Sequence, residues 1–414
     1  MSDLINANFF QDRSVQDDPY PYYAAVRSVS PVFREPHHGV FLLTGYQETL
    51  DVYNDSKQFS SCNVVCGPFA TFPVPLEGDD VSDIIEAHRD VLPFSDQLPS
   101  FDPPKHTAHR GLMMRLLTPK RLRENEEFMG VVAERLLAPM LERGRADFVT
   151  DYASQFAKVV IAELEGVPES DHEAFSSGLD KSKAQLAHKP LEFLYETFAR
   201  YIADRRANPR DDIMTEMARA TFPDGSVPEV HDVALLAANL YTGGQETTVR
   251  MLSFAVRIIA EQPEIQQRLR ADRELIPNFI EEVLRFESPL RAQFRMARTS
   301  TSVAGVEVPA GSSLLLLPGA ANRDPKMFEN PDVFDVDRQN ALYHLTFGHG
   351  THHCAGAHLA RAEGRVTLHH LLDRTSDVRI DESVHGPAGA REYRYLPTYF
   401  LRGLLQLGVE LVPA

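Results

Sequence analysis

A single cysteine at the end of a glycine-punctuated loop constrains this chain more than any other feature. Cys354 lies in the loop Phe347–Gly356, and apolar residues from Leu359 onward recur at helical spacing. A cysteine at the start of a helix faces unpaired backbone N–H groups and the positive end of the helix dipole, and both favour the thiolate. The loop glycines allow tight turns and a close approach to a flat partner. The loop is therefore predicted to present Cys354 as an anionic ligand or a nucleophile.

The residues of this loop alone leave three interpretations of Cys354 open. The first is a buried structural cysteine. The second is a zinc site, because five histidines crowd around the cysteine, although structural zinc usually takes paired short spacings from two chain segments and no second cluster exists. The third is a haem site in which one thiolate holds the iron. The histidines are His344, His349, His352, His353 and His358.

The loop resembles the haem-binding signature of the cytochrome P-450 superfamily, Phe-Gly-x-Gly-x-His-x-Cys-x-Gly followed by Leu-Ala, and the match is complete. This resemblance favours the third interpretation. It implies that Cys354 is the axial ligand of the iron of haem b. It also implies that Phe347, Gly348 and Gly356 shape the loop against the haem and that His352 contacts a haem propionate.

Composition excludes several classes of protein. The 414 residues are 43% hydrophobic, which is enough for a large core, and the net charge of −17 argues against nucleic acid or an anionic membrane as a partner. The three cysteines give no disulfide framework, and Cys62 and Cys66 are expected to be free thiols in a reducing cytosol. Neither a signal peptide nor an apolar run of the roughly 18 residues needed to span a bilayer is present. A cytoplasmic monomer is expected.

The order of the predicted elements favours a mainly α fold with small β-sheets. Helical and short strand patterns alternate without a regular βαβ rhythm, and helices follow one another from His106 to about Ala220. The stretch Phe59–Pro104 is predicted to be largely irregular, and in the resembled family this segment roofs the substrate pocket. The resemblance implies the cytochrome P-450 fold, a triangular helical prism with the haem between the long central helix and the cysteine-ligand helix. It implies one catalytic domain over residues 1–414.

A second motif lies in the long helix predicted for residues 229–261. Its first half is apolar nearly all round, which indicates a buried helix, yet Gly243 and Gly244 interrupt it at about 1 kcal/mol each relative to alanine. Either close helix packing or a local kink that makes room for a ligand accounts for the pair. The segment resembles the family's oxygen-activation motif, Ala/Gly-Gly-x-Asp/Glu-Thr-Thr. The resemblance implies that Thr247 hydrogen-bonds the bound oxygen and that Glu246 relays protons to it.

Two further segments match family motifs. Glu282 and Arg285 lie at i, i+3 on one face of a predicted helix, for which an exposed pair is the ordinary interpretation. The resemblance instead implies a buried structural pair, closed by Arg338 of a Phe-Asp-x-x-Arg stretch. His106 and Arg110 share a face of another predicted helix and, taken alone, are surface residues. The resemblance implies that His106, Arg110 and Arg295 join His352 as donors to the haem propionates, a role suited to cations.

Position alone suggests the residues of the substrate pocket. Arg291 has two interpretations: it holds a substrate carboxylate, or it turns to a propionate or to solvent, which we favour. Because no other charge faces this pocket, we expect a small hydrophobic substrate such as a terpenoid, an aromatic compound, a fatty acid or a steroid. The residues assigned to the pocket are Asn239, Thr242, Gly243, Arg291, Ala292, Gln293, Tyr399 and Phe400.

The resemblance spans about His106 to Leu404 and implies a haem-thiolate monooxygenase that inserts one oxygen atom of O2 into a C–H bond. Electrons are expected from a ferredoxin and a ferredoxin reductase, because the chain has no flavin or iron–sulfur motif. The ferredoxin is expected to dock over Cys354, where a set of cations offers positive charge. These cations are Arg115, Lys120, Arg121 and Arg361.

Two alternative functions are compatible with the same fold. One is a peroxide-driven peroxygenase, but members of that type typically lack the acid–alcohol pair that Glu246 and Thr247 match. The other is a non-catalytic haem protein that senses a gas, but no segment remains to form an output domain.

Overall fold

The computed structural model describes residues 2–175 and 192–414, and the chain divides into two compact units. The first unit consists of Met1–Pro103, Ser253–Cys354 and Glu382–Leu407. The second unit consists of Pro104–Leu252, Ala355–Asp381 and Gly408–Ala414. The single domain expected from the sequence therefore stays a prediction.

Helices carry most of the regular structure. Within the described residues, no helix is long and apolar enough to cross a membrane. A π-helical turn at Val149–Ala153 leads into α8. The helices of the described ranges are α1 (Ser2–Ile5), α2 (Arg13–Asp17), α3 (Tyr20–Val29), α4 (Tyr46–Asn54), α5 (Ser82–His88), α6 (Lys105–Met113), α7 (Pro119–Arg143), α8 (Ser154–Leu164), α9 (Glu192–Ala207), α10 (Ile213–Ala218), α11 (Val230–Glu261), α12 (Pro263–Ala271), α13 (Ile276–Phe286), α14 (Pro318–Ala321), α15 (Ala357–Arg374) and α16 (Glu382–His385).

The strands form small sheets, so the predicted class of a mainly α protein with small sheets is confirmed. The first unit holds a five-stranded sheet of order β1-β2-β8-β5-β3 and the hairpin β6-β7, and the second holds the sheet β4-β10-β9. Only β2 and β8 pair in parallel among the described strands. The strands are β1 (Val32–Arg34), β2 (Phe41–Leu43), β3 (Phe59–Ser60), β4 (Arg145–Asp147), β5 (Gln293–Ala297), β6 (Thr301–Val303), β7 (Val306–Val308), β8 (Ser313–Leu316), β9 (Thr375–Ile380) and β10 (Gly408–Pro413).

The five-stranded sheet is covered on both faces. The three leucines of β8, Leu314–Leu316, are fully buried, and a continuous apolar run of this kind is typical of a strand buried on both faces. Leu315 packs in one apolar cluster with Phe294, whereas its two neighbouring leucines pack in a second cluster. Because side chains alternate along a strand, β5 turns Phe294 and Arg295 to opposite faces, and Arg295 lies over the ring of Tyr53.

The pair Glu282–Arg285 on α13 is fully buried, so the interpretation as an exposed surface pair is wrong. The Glu282 carboxylate accepts from Arg285 Nε at 2.6 Å and Nη2 at 2.8 Å, from Arg338 Nε at 3.1 Å and from the backbone N–H of Asp335 at 2.9 Å. These are the contacts that the resemblance implies. Removing one partner of such a buried pair typically costs about 3–5 kcal/mol, because the other charge stays buried and uncompensated.

The two glycines inside α11 serve different purposes. A Cβ atom on Gly244 would lie 3.2 Å from Ile161 Cδ1, so this glycine lets α8 and α11 approach closely. A Cβ atom on Gly243 would meet nothing within 4 Å, so this position borders open space. The helix stays α-helical through the pair. Close packing therefore accounts for Gly244, and room beside the helix for Gly243.

The structure agrees with the prediction that Phe59–Pro104 is largely irregular, but the segment also holds one short helix that the sequence did not reveal. The segment contains α5, and its buried residues Val81 and Ile85 pack in an apolar cluster of the first unit. Short 3-10 turns at Gly67–Phe69, Arg89–Val91 and Leu98–Ser100 account for more of it. The helical period of α5 is only two turns long and is flanked by aspartates and prolines, so it is too short to stand out in the sequence.

Candidate active site

The loop that carries Cys354 is fixed by its own backbone. The N–H of Cys354 donates to the carbonyl of Phe347 over 2.8 Å. Gly348 and Gly350 both take φ of +65°, a left-handed conformation that glycine adopts without strain. A Cβ atom on Gly350 would lie 2.5 Å from the Tyr53 carbonyl oxygen, so only glycine permits this close approach. Cys354 is partly exposed.

Gly356, the third glycine of the loop, differs from the other two. It precedes α15 as the N-cap residue with φ of −85°, a backbone conformation that any residue adopts. The turn does not therefore require glycine at this position.

A buried asparagine connects this loop to the Glu282 pair, a link that sequence reasoning missed. Arg285 Nη1 donates to the carbonyl of Asn322 at 2.9 Å. The Asn322 side chain accepts from the N–H of Leu345 at 2.6 Å and donates to the Thr346 hydroxyl at 2.9 Å. Leu345 and Thr346 directly precede the cysteine loop, so the buried pair reaches the loop through one side chain.

Two of the histidines around Cys354 have separate partners, which weakens the zinc interpretation. His344 Nε2 lies 3.1 Å from a Glu281 oxygen, and His349 Nδ1 lies 2.7 Å from Asn54 Oδ1. Across the described ranges, no three His, Cys, Asp or Glu side chains gather as metal ligands would. The histidines are therefore parts of local hydrogen-bond networks.

Arg295 is a buried cation without a carboxylate partner among the residues that the structure describes. Its side chain is 3% exposed, its Nη1 donates to the carbonyl of Phe294 at 2.7 Å, and its guanidinium carbon lies 5.7 Å from the centre of the Tyr53 ring. Desolvation lowers the pKa of this guanidinium. A buried charge without a counter-ion costs several kcal/mol. The residue therefore fits an anionic group such as a haem propionate.

His352 lies in the first unit, where its Nε2 is 3.0 Å from the Ser61 hydroxyl. The N–H of Ser61 donates to Asp102 at 2.8 Å, and Asp102 also holds Arg298 and Arg89 at 2.7 and 3.1 Å. Sequence reasoning missed Asp102, although an aspartate directly before a Pro-Pro helix start is a recognisable signal. The network holds the imidazole of His352 in place through Ser61.

The other two predicted propionate donors lie in the second unit on α6, which begins directly after Pro103-Pro104. His106 is buried and Arg110 is half-buried. The interpretation of His106 as a surface residue is therefore wrong. Because a buried polar side chain is costly unless it is hydrogen-bonded, a buried histidine requires polar partners.

On α11, the threonine and the acid of the predicted relay have different environments. The Thr247 hydroxyl donates to the carbonyl of Gly243 at 2.9 Å, one turn earlier on the side that borders open space. Glu246 pairs with Arg250 one turn later, and its side chain is 36% exposed. The arrangement places a solvent-accessible acid directly beside a hydroxyl whose oxygen still has acceptor capacity.

Glu363 on α15 is a buried acid that sequence reasoning missed. It is 1% exposed, and one carboxylate oxygen accepts from the Thr248 hydroxyl at 2.9 Å, whereas the other meets no partner in the described chain. Burial raises the pKa of Glu363 to about 8. The group is therefore mostly protonated near neutral pH, beside the threonine that follows Thr247.

The pocket residues of the second unit lie along α11. Asn239 is half-buried and Gly243 is exposed. The Thr242 hydroxyl donates to the carbonyl of Ala238 at 2.8 Å. The Thr247 hydroxyl likewise donates to the carbonyl four residues before it, that of Gly243. The two threonine hydroxyls are thus tied to the helix backbone.

The pocket residues of the first unit lie on β5 and on the loop before Arg402. Tyr399 and Phe400 are half-buried, as is Gln293. Ala292 is fully buried within an apolar cluster against which Tyr399 packs. Ala292 is therefore part of the core behind Tyr399.

Arg291 has neither of the orientations considered from the sequence. It is 1% exposed, and its Nη1 donates to the carbonyls of Gln16 at 2.8 Å and Thr398 at 3.0 Å, while Nη2 donates to that of Val15 at 2.8 Å. Backbone carbonyls accept three hydrogen bonds from the guanidinium, so solvent exposure is wrong, and only Nε is left without a partner among the described residues. The residue instead joins two distant chain segments.

Comparisons with known proteins agree with these features. Residues 175–376 match the family model for cytochrome P-450. Cytochrome P-450 144 of Mycobacterium tuberculosis is 36% identical over 386 residues, which cover 89% of this chain and 85% of that protein. Vitamin D(3) 25-hydroxylase of Pseudonocardia autotrophica is 30% identical, and the match covers 99% of this chain and 96% of that protein. A substrate-free cytochrome P-450 structure from Mycobacterium marinum superposes with a TM-score of 0.95 at 47% identity, covering 99% of this chain and 100% of that one.

The raised pKa of Glu363 predicts a pH-dependent gain in stability for Glu363→Gln. The pKa is about 8 in the folded protein and about 4.3 in an unfolded chain, so the folded state binds more protons and stability is lost as the pH rises between these values. Glutamine keeps an acceptor for Thr248 but does not ionise. The melting temperature of Glu363→Gln should therefore exceed that of the parent increasingly from about pH 5 to about pH 8.

The matched control is Asp373→Asn, which removes an exposed acid from the same helix and measures the effect of losing a surface carboxylate. Calorimetry of both holoproteins gives the comparison. A constant difference for Glu363→Gln would mean that Glu363 is ionised throughout this range.

Proposed function

The chain belongs to the cytochrome P-450 family, whose members are monooxygenases that use haem b and O2, and we propose that Cys354 holds the haem iron as a thiolate. The observation that carries this proposal is the geometry of the cysteine loop. The loop is fixed by the Cys354–Phe347 backbone hydrogen bond, and left-handed Gly348 and Gly350 bring it close to the backbone of Tyr53. The bound haem supplies the activation of O2 and the insertion of one oxygen atom into a C–H bond.

We assign the haem propionates to Arg295, His352, His106 and Arg110. Arg295 has the strongest physical need for an anion, because its charge is buried and unpaired by acids in the described chain. The imidazole of His352 is held by its contact with the Ser61 hydroxyl. We assign the same role, donation to a propionate, to His106 and Arg110 of α6. Phe347, together with Gly348 and Gly356, shapes the loop.

Replacing Arg295 with glutamine should accelerate haem loss about tenfold or more, because a charge-assisted hydrogen bond contributes about 1.5–3 kcal/mol. Transfer of haem from the purified protein to excess apomyoglobin measures the rate. Arg268→Gln is the matched control, because Arg268 forms an exposed pair with Asp337 and should not affect haem release. Haem loss at the parent rate in Arg295→Gln would refute the assignment.

We assign the delivery of protons to Glu246 and Thr247. Glu246 is paired with Arg250, and its partial exposure gives it access to solvent protons. Glu246 is the more exposed partner of the pair, at 36% against 9% for Arg250, so its carboxyl can take up a proton from solvent and pass it toward the neighbouring hydroxyl. The Thr247 hydroxyl donates to the carbonyl of Gly243, and turning this hydroxyl away from the backbone would allow it to donate a proton on the side that borders open space.

Replacing Thr247 with alanine should uncouple the reaction. With a surrogate ferredoxin and reductase, product formed per NADH consumed should fall about tenfold or more, since a positioned proton donor contributes at least this much. Thr248→Ala removes the adjacent hydroxyl, which donates to Glu363, and should leave the ratio near that of the parent. Unchanged coupling in Thr247→Ala would contradict the relay.

We propose a neutral, hydrophobic substrate rather than a carboxylic acid. Both Nη atoms of Arg291 donate to backbone carbonyls, which leaves this buried cation few donors for a carboxylate. Vitamin D(3) 25-hydroxylase is among the relatives, and a neutral molecule of the steroid or secosteroid class agrees with this chemistry. Hydroxylation is the expected reaction.

Electron delivery by a ferredoxin and its reductase is part of the proposal, with docking over the Cys354 side. Two of the four cations expected there are paired with acids in the second unit: Arg121 with Glu216, and Lys120 with Glu124 at 3.7 Å. The local positive charge is therefore smaller than the sequence suggests.

A further inference from the structure

The N-terminal segment of the first unit packs behind the loop that carries Tyr399. The buried rings of Phe9 and Phe10 lie there, and the Phe10 ring meets the Tyr399 ring edge-on with centres 5.0 Å apart. The centre of the Phe9 ring is 6.3 Å from that of Tyr399. Phe10 also stacks with Phe294 of β5 at 6.3 Å. One face of Tyr399 is therefore set by a segment near the start of the chain.

Arg291 ties the same two segments together through their backbones. Its guanidinium donates to the carbonyls of Val15 and Gln16 on one side and of Thr398 on the other. No acidic partner of Arg291 is found among the described residues. The N–H of Arg291 also donates to the carbonyl of Phe400 at 2.9 Å. Four hydrogen bonds from Arg291 thus hold the residues on either side of Tyr399 against α2.

A buried glutamate holds the far end of the loop. Glu287 accepts from Arg402 Nε at 2.7 Å, Arg257 Nη2 at 2.8 Å and the Tyr20 hydroxyl at 2.7 Å. Burial opposes ionisation, but Arg402 and Arg257 outweigh it and lower the pKa of Glu287 to about 2. Arg402 Nη1 then donates to the carbonyl of Asp17 at 2.8 Å. The N-terminal segment is therefore attached at both ends of the loop.

We propose that Phe10 and Arg291 are positioning residues that determine substrate specificity by setting where Tyr399 stands in the pocket wall. This inference rests on the proposed function, because it takes Tyr399 as a pocket residue. Its physical basis is close packing: interiors leave few voids, so a loss of volume behind a ring lets the ring move. The segment from Phe9 to Asp17 thus becomes a determinant of selectivity.

The test measures the affinity of the holoprotein for two azoles that bind the haem iron through nitrogen, imidazole and clotrimazole. Imidazole is small and reports access to the iron, whereas bulky clotrimazole also reports the position of the pocket wall. In Phe10→Leu, the Kd of clotrimazole should change about fivefold or more while that of imidazole stays within about twofold, a difference of about 1 kcal/mol. Spectral titration gives both constants.

Arg291→Lys and Arg291→Met provide a second line that does not depend on the packing of Phe10. Lysine keeps the charge and some donors but cannot reach three carbonyls in a fixed fork. Methionine removes all donors. The shift in the ratio of the two azole constants should therefore be larger for Arg291→Met than for Arg291→Lys.

Phe279→Leu is the matched control, because Phe279 is a fully buried phenylalanine of the first unit that packs on Phe334. It should lower stability as Phe10→Leu does without changing the azole ratio. An unchanged ratio in Phe10→Leu and both Arg291 variants, or the same change in Phe279→Leu, would overturn the inference while leaving the haem function intact. If the parent protein binds neither azole at the iron, the proposed function itself fails, and the inference fails with it.

Discussion

The buried carboxylate of Glu282 is the interaction on which the cysteine loop depends. It accepts hydrogen bonds from two arginines and a backbone N–H in a fully buried position. Arg285 also donates to the carbonyl of Asn322, and the Asn322 side chain holds the two residues that lead into the loop. The buried charges of the scaffold therefore support the backbone that leads into the Cys354 loop, in addition to the loop's own hydrogen bond from Cys354 to Phe347.

The buried charged residues discussed above differ in whether a matching charge lies beside them. Glu282 and Glu287 have full sets of donors, and each holds chain segments together. Arg295 and Glu363 are buried without matching charges in the described residues. An unmatched buried charge or acid is costly, so these two residues are candidates for a functional role. Arg295 suits an anionic cofactor, and Glu363 remains mostly neutral beside the threonines of α11.

Sequence reasoning recovered what lies in contiguous motifs. The mainly α class, the long helix that became α11 and the membership of the family follow from local patterns of spacing, and all three agree with the structure and the comparisons. The roles of Cys354, Glu246 and Thr247 remain predictions. What the sequence hid depends on distant pairings: α5 is too short to show a period, and Asp102 and Asn322 act through partners far along the chain. Arg291 is the clearest example, because its carbonyl partners, Val15 and Thr398, carry no side-chain signature.

The central claim is that Cys354, as a thiolate, holds the haem iron. The most direct measurement is the absorption spectrum of the reduced protein in the presence of carbon monoxide. A strongly red-shifted Soret band, lost in Cys354→Ser, is the predicted result because the thiolate pushes electron density onto the iron. A band at the position typical of histidine-ligated haem, unchanged in Cys354→Ser, would show that another residue is the ligand and would contradict the account.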